Sequence, residues 1–369
     1  MKIGILGTRG VPNHYGGFEQ FAEYLSVGLV ERGHEVVVYN SSTHPYQKDN
    51  WKGVKIVHCK DLEDKIGTAG QFFYDLNCIL NARKQGFSVL LQLGYTSNSI
   101  WYNLLPKNSI IVTNMDGLEW KRSKYSKMVQ LFLRKAEKWA AESSDHLIAD
   151  SIGILKYLEG LYDRPVTFIS YGSESMGDPN VDVLREYGLV ENQYYLLIAR
   201  MEPENNIEII LDGYVESNSS LPFIVVGKVN NSFGQYLQRK FEDNPLIIFK
   251  GGIYNFSHLN NLRFYSKFYF HGHSVGGTNP SLLEAMSSSA LIVANDNIFN
   301  RTVLDVHALY FSNSFEVASL INKPLKENSR KVMIEANLRK IEKKHSWKKI
   351  IDSYLNLFIK LTKQNRVDV

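Results

Sequence analysis

"KFYFHGHSVGGTNPSLLEAM", Lys267 to Met286, joins a short apolar run to a helix-forming one through glycines, a threonine, an asparagine and a proline. The run up to His273 reads as a buried strand. Thr278 or Asn279 suits a helix cap, and Pro280 suits the first helical position. Gly276 and Gly277 leave bare backbone where the chain enters the helix, so a ligand can come close. Free N–H groups and the helix dipole at such a mouth attract an anion, each charge interaction being worth about 0.3–1 kcal/mol. A phosphate is therefore expected at Gly276, Gly277, Thr278 and Asn279. Glu284 falls about one turn into the helix, on the ligand side if Leu283 faces the core. A carboxylate there can accept hydrogen bonds from two ribose hydroxyls. His271 and His273 are expected on opposite faces of the strand, with His273 the ligand-side member.

The same strand-to-helix pattern runs through the chain. In the first half "KIGILG", "HEVVVYN", "VKIVHC", "SVLLQLG", "SIIVTNMDG" and "HLIADS" read as strands. Between them lie helical runs at Gly16–Gly33, Phe72–Gln85 and about Lys124–Ser143. In the second half "YYLLIAR", "PFIVVGK", "LIIFKGG", "FYFHGH" and "ALIVAND" repeat the plan. Such alternation predicts an α/β fold with two doubly wound, Rossmann-like domains facing a central cleft. The boundaries are expected at 1–168 and 169–345. A C-terminal helix at 346–369, part of a basic helical tail from about Glu327, is able to pack back on the first domain.

Composition narrows the function classes. The chain has 369 residues, 44% apolar and 22% charged, as in a soluble globular protein. Its net charge of +4 is too mild for a nucleic-acid binder. Two cysteines, Cys59 and Cys78, give no disulfide framework and fit a reducing compartment. "MKIGILG" starts a strand at once and does not read as a signal peptide. A cytoplasmic protein is expected, without a membrane span.

Three further stretches carry candidate chemistry. "GTRGVPNHYGGFE" follows the first strand, and Gly16-Gly17 open a helix, with Tyr15 beside them. As a dinucleotide fingerprint it is poor, and the second strand ends in Tyr39-Asn40 where an acid would hold a ribose, so NAD is disfavoured. In "ARMEPENNIE", Arg200 follows a strand and can pair with a diphosphate. Lys228, ending "FIVVGK", is placed by the same logic. In "NMDGLEWKRSKY", Asp116 and Glu119 can orient a sugar or act as a general base. The chain holds no D-x-D, H-E-x-x-H or C-x-x-C, so no metal and no cofactor is expected.

"GTRGVPNHYGGFE", "NMDGLEWKR", "ARMEPENNIE" and "HGHSVGGTNPSLLEAM" together resemble the GT-B glycosyltransferases of family 4. More closely they resemble the bacterial rhamnosyltransferase-like proteins of capsule and surface-polysaccharide synthesis. The resemblance implies a retaining, metal-independent glycosyltransferase. Its donor would be a nucleotide-sugar, dTDP-rhamnose favoured, and its acceptor a growing, lipid-linked glycan. It implies that Glu284 binds the donor ribose, that Arg200 contacts the diphosphate and that Gly16-Gly17 lie near diphosphate and acceptor, with Tyr15 and Glu119 on the acceptor side. Two positions depart from the family pattern. Gly276 stands where the first glutamate of E-x7-E is usual, and Asn205 where a lysine is common. His273 or the N–H groups of Gly277 and Thr278 would then contact the sugar, and Lys228 would supply the cation. Two other readings remain at this point: a nucleotide-sugar 2-epimerase of the same fold, and a non-catalytic nucleotide-sugar-binding subunit.

The segment Trp120–Trp139 mixes seven Lys or Arg with Tyr125, Leu131 and Phe132. A basic amphipathic helix of this kind can lie on an anionic bilayer, which implies peripheral contact with the inner face of the cytoplasmic membrane.

Overall fold

Fourteen strands form two sheets in the computed structural model, which describes residues 1–14, 16–122, 125–275 and 277–364. The first eight are β1 (Lys2–Leu6), β2 (Glu35–Ser41), β3 (Asn50–Trp51), β4 (Val54–Cys59), β5 (Val89–Leu93), β6 (Ile110–Asn114), β7 (His146–Ala149) and β8 (Val166–Phe168). The rest are β9 (Tyr195–Ile198), β10 (Phe223–Val226), β11 (Ile247–Gly251), β12 (Phe268–His271), β13 (Ile292–Asn295) and β14 (Leu309–Phe311). The chain divides into two compact units. Residues 1–121, 125–171 and the chain from Trp347 make the first, and Gly172–Ser346 make the bulk of the second.

The first sheet runs β3-β4-β2-β1-β5-β6-β7-β8. All its pairs are parallel except β3–β4, a short hairpin turning through Lys52 and Gly53, both at positive φ. The second sheet runs β11-β10-β9-β12-β13-β14, wholly parallel. Both orders reverse beside their first strand, the doubly wound arrangement in which ligands bind at the strands' carboxyl ends. The strands are apolar almost throughout, as "FIVV" and "IVAN" show, because helices cover both faces.

In the second unit the core gathers on Tyr195, Tyr214, Phe223, Phe268 and Phe270. Tyr214 and Phe223 meet edge to face at 5.2 Å, and Phe223 and Phe270 lie tilted at 38° with centroids 5.3 Å apart. Such ring pairs add about 0.5–1.5 kcal/mol each beyond their buried area. This holds β9, β10 and β12 as one rigid group, and their carboxyl ends carry the residues of interest.

The tail, expected to be helical from about Glu327, comprises two helices. A helix at Glu327–Lys340 widens into a π turn at Ile341–His345 and breaks at Ser346, where the backbone is extended. The next helix, Trp347–Gln364, packs in the first unit. Trp347 stacks on Tyr24 at 4.5 Å and 7°, and Asp352 pairs with Arg32 at 2.7 Å. A Cβ on Gly28 would lie 2.4 Å from Ile351, so a glycine is what lets the two helices approach.

Candidate functional site

Arg200, Lys228 and His273 follow the carboxyl ends of β9, β10 and β12, three adjacent parallel strands. Arg200 and His273 flank the point where the strand order reverses. Arg200 and Lys228 are exposed, and Lys228 lies 5.4 Å from the Tyr254 ring centroid. Two loops interlock around this edge. Asn206 donates to the Gly272 carbonyl at 2.7 Å, and Ser274 donates to the Glu204 carbonyl through both its N–H (3.0 Å) and its hydroxyl (2.8 Å). A Cβ on Gly272 would lie 1.9 Å from the Asn205 carbonyl oxygen, so the close approach itself requires glycine. Asn205 is buried and donates to the Arg200 carbonyl at 2.7 Å. Asn205 is thus spent on fixing the loop that carries Arg200.

The histidines correct the expectation of opposite faces. Their rings stack at 4.5 Å and 16°, with Tyr269 next to His271 at 6.4 Å. The physical reason is the period of two: residues 269, 271 and 273 project on the same side of an extended chain. Neither nitrogen of His271 nor Nδ1 of His273 has a hydrogen-bond partner among the described residues. A buried polar group left so costs about 1–3 kcal/mol. Burial pushes His271 well below the ordinary histidine range, helped by His273 and the Arg263 charge. Burial and the Arg200 charge lower His273 to about 3. Both rings are therefore neutral at pH 7. The His273 carbonyl is held by the side chains of Asn297 (2.9 Å) and Asn300 (3.0 Å).

The loop from His273 enters the helix Pro280–Ser287 as expected. Asn279 caps it, accepting from the Ser281 N–H at 2.9 Å, and Pro280 is its first residue. No acid lies in its first turn. Gly277 is half-buried and Thr278 buried, while Gly276 lies outside the described residues. Leu283 is fully buried, and Glu284 keeps 16% of its side chain exposed. One Glu284 oxygen, Oε2, accepts from Arg263 at 2.6 Å. Arg263 was not singled out in the sequence, and nothing in "NNLRFY" marks a buried cation.

The first unit presents a different picture. Gly16 is extended and precedes the helix Gly17–Glu31 without a side-chain cap, and Tyr15 lies outside the described residues. The first turn of this helix already carries an acid, Glu19, which is buried. Its Oε1 accepts from the Arg9 N–H at 2.8 Å and the Thr8 hydroxyl at 3.1 Å, tying the β1 loop to the helix. That carboxylate occupies the dipole end where an anion was expected. Asn40, at the end of β2, is likewise committed: its amide accepts from and donates to the Val11 backbone at 3.0 and 2.8 Å. Asp116 sits at φ +49, its N–H on the Asn114 side chain. The loop after it is pinned twice. Tyr95 donates to the Gly117 carbonyl and accepts from the Glu119 N–H, while Trp120 donates to buried Glu137 at 3.0 Å.

On the helix Lys127–Ser143, Lys127, Met128, Leu131, Arg134, Lys135 and Lys138 are exposed. No helix among the described residues is long and apolar enough to cross a membrane. Among the described residues no group of three or more His, Cys, Asp or Glu is placed to hold a metal ion.

Residues 1–174 match a family described as a domain of unknown function, DUF1972. No curated protein matches the chain. Among solved structures, the sucrose-phosphate synthase of Thermosynechococcus elongatus superposes with a TM-score of 0.80 at 14% identity, over 98% of this chain and 99% of that one. Alr3699/HepE of Anabaena, in complex with UDP and glucose, gives 0.74 at 12%, over 97% and 99%. Trehalose-6-phosphate from Escherichia coli, bound with UDP-2-fluoro glucose, gives 0.71 at 11%, over 97% and 98%. The fold is thus the α/β GT-B type of these proteins, with two parallel-dominated sheets.

Proposed function

We propose that the protein is a glycosyltransferase that takes a sugar from a nucleotide-sugar bound to its second unit. The observation that carries this reading is the sheet edge beside the strand-order reversal. It gathers two exposed cations, Arg200 and Lys228, a neutral half-buried histidine, His273, and a capped helix mouth free of acid in its first turn. Glu284 stands on that helix, where a carboxylate suits a hydroxyl of the nucleotide's pentose. The solved structures that share the fold include ones bound to UDP and to UDP-glucose.

In this reading the acceptor hydroxyl attacks the anomeric carbon on the face from which the nucleoside diphosphate leaves, so configuration is retained. The bond from the anomeric carbon to the diphosphate oxygen breaks as the new glycosidic bond forms, and a departing phosphate oxygen takes the acceptor proton. Arg200, Lys228 and the N–H groups of Gly277 and Thr278 stabilise the leaving charge, an effect worth about 3–4 kcal/mol per donor in other enzymes. His273, neutral, offers the sugar a hydrogen-bonding nitrogen. The acceptor side is assigned to the first unit, with Asp116 and Glu119 orienting the acceptor and Gly16-Gly17 opening the adjoining helix. The donor favoured is dTDP-rhamnose and the acceptor a lipid-linked glycan. The exposed cations and apolar side chains of Lys127–Ser143 suit an anionic lipid surface.

The test is donor turnover. Nucleotide-sugars based on dTDP, UDP, GDP and ADP are incubated with protein in EDTA, and free diphosphate and the anomeric configuration of the product are read by NMR. Retention, with a loss of about a hundredfold in Arg200→Ala, is expected. Inversion, or Arg200→Ala within twofold of wild type, contradicts the reading. For the membrane contact, co-sedimentation with phosphatidylglycerol vesicles at low salt is expected, falling when Lys135 and Lys138 become Glu. Negligible binding contradicts it.

A further inference from the structure

We infer that Arg263 is a positioning residue for Glu284: a buried guanidinium that fixes one carboxylate oxygen so that the other can receive the ribose of a nucleoside diphosphate. The inference rests on the donor reading above. Arg263 lies on the helix Phe256–Phe264 and is 1% exposed, among the largest fully buried side chains of the protein. One terminal nitrogen donates to Glu284 Oε2 at 2.6 Å and reaches the Ser281 hydroxyl at 3.5 Å. The other donates to Asn260 Oδ1 at 3.2 Å. The Tyr269 ring centroid lies 5.8 Å away, and its hydroxyl shares Ser281 Oγ at 2.9 Å. Arg263 therefore grips the ligand helix at two positions three residues apart, Ser281 and Glu284, which share a face.

The form of this pair is what argues for a role beyond stability. Taking two charges out of water costs as much as or more than their attraction returns, and apolar side chains of like volume usually serve stability better. The pair also lacks the fork that gives arginine its strongest hold on a carboxylate. Only Oε2 is engaged, Nε of Arg263 has no partner among the described residues, and Glu284 retains its exposure while Arg263 has none. The cation thus sits on the interior side of the carboxylate. A strap between two helices would be expected to close both oxygens into a bidentate pair. An acceptor held for an incoming hydroxyl needs one oxygen anchored and one available, which is the arrangement found.

The test compares probes with and without the hydroxyl. UDP and dTDP are titrated calorimetrically beside 2′,3′-dideoxyuridine diphosphate and 3′-deoxythymidine diphosphate, on wild type, Arg263→Met and Arg263→Lys. Wild type is expected to bind its preferred diphosphate about tenfold tighter than the deoxy partner. Arg263→Met should bring that ratio below about twofold while leaving the deoxy probe unchanged. Arg263→Lys, which keeps the charge, should fall between and covers the case in which the Met variant does not fold. Equal weakening of both probes, or an unchanged ratio in the Lys variant with an unfolded Met variant, overturns the inference and leaves Arg263 a structural strap. Failure of wild type to bind any diphosphate overturns the donor reading itself, a separate outcome.

Discussion

Gly272→Ala should disable the second unit through one contact. The added Cβ would stand 1.9 Å from the Asn205 carbonyl oxygen, against a practical minimum of 3.0 Å, so the two loops must part by about 1.1 Å. Three hydrogen bonds of 2.7–3.0 Å join those loops: Asn206 to Gly272, and two from Ser274 to Glu204. A displacement of that size takes each beyond hydrogen-bonding distance. At about 0.5–1.5 kcal/mol per bond, with a buried carbonyl left unmet, the cost is about 3 kcal/mol. For a unit of this size that lowers Tm by about 6–12 °C, read by calorimetry. Arg200 and His273 lie on the two separated loops, so nucleotide affinity should fall as well. Gly177→Ala, where a Cβ meets nothing within 4 Å, is the control and should change stability by less than about 0.5 kcal/mol. If Gly272→Ala loses less than 1 kcal/mol, the interlocked loops do not hold the site as described.

Three further outcomes are expected. His273, depressed from 6.5 to about 3, takes up its proton mainly in the unfolded chain between those values. Stability is thus present above pH 6.5 and lost as pH falls toward 3, about 3 kcal/mol by pH 4.5, and His273→Gln should flatten that slope in urea titrations. Asp75 is buried beneath a 2.5 Å bond from Ser97 and raised by burial to about 7, so its contribution is present below pH 3.8 and lost as pH rises through 7. Asp75→Asn should then stabilise the protein at pH 8 by about 3 kcal/mol in the same assay. Glu137, 1% exposed, accepts from Trp120, Tyr157 and Tyr162 at 3.0, 2.8 and 2.8 Å. Glu137→Leu orphans three donors and should cost about 3 kcal/mol, with a change in Trp120 fluorescence.

Much of this architecture is legible in the residues themselves. Long apolar strands such as "HEVVVYN" and "YYLLIAR" stand out because both their faces are buried. The capped entry "TNPSLLEAM" is local chemistry, and its helix begins at Pro280 as read. What escapes is short or non-local. β3 is two residues, marked only by Lys52-Gly53, and β8 and β14 are three each. The break at Ser346 depends on Trp347 finding Tyr24, more than 300 residues away in sequence. Arg263 is invisible because its partner lies 21 residues on, across a strand. The stacking of His271 on His273, by contrast, follows directly from a period of two, and a stricter use of that rule finds it.

The most direct test of the central claim is nucleotide binding at the second unit. A thermal-shift panel of dTDP, UDP, GDP, ADP, their sugar conjugates and NAD, in EDTA, is run on wild type and Glu284→Ala. At about 100 times its dissociation constant a ligand stabilises by roughly 2.7 kcal/mol. A shift is expected with one nucleoside diphosphate and its sugar conjugate, none with NAD, and loss of the shift in Glu284→Ala. No shift with any diphosphate, or a shift that Glu284→Ala leaves intact, would contradict that claim.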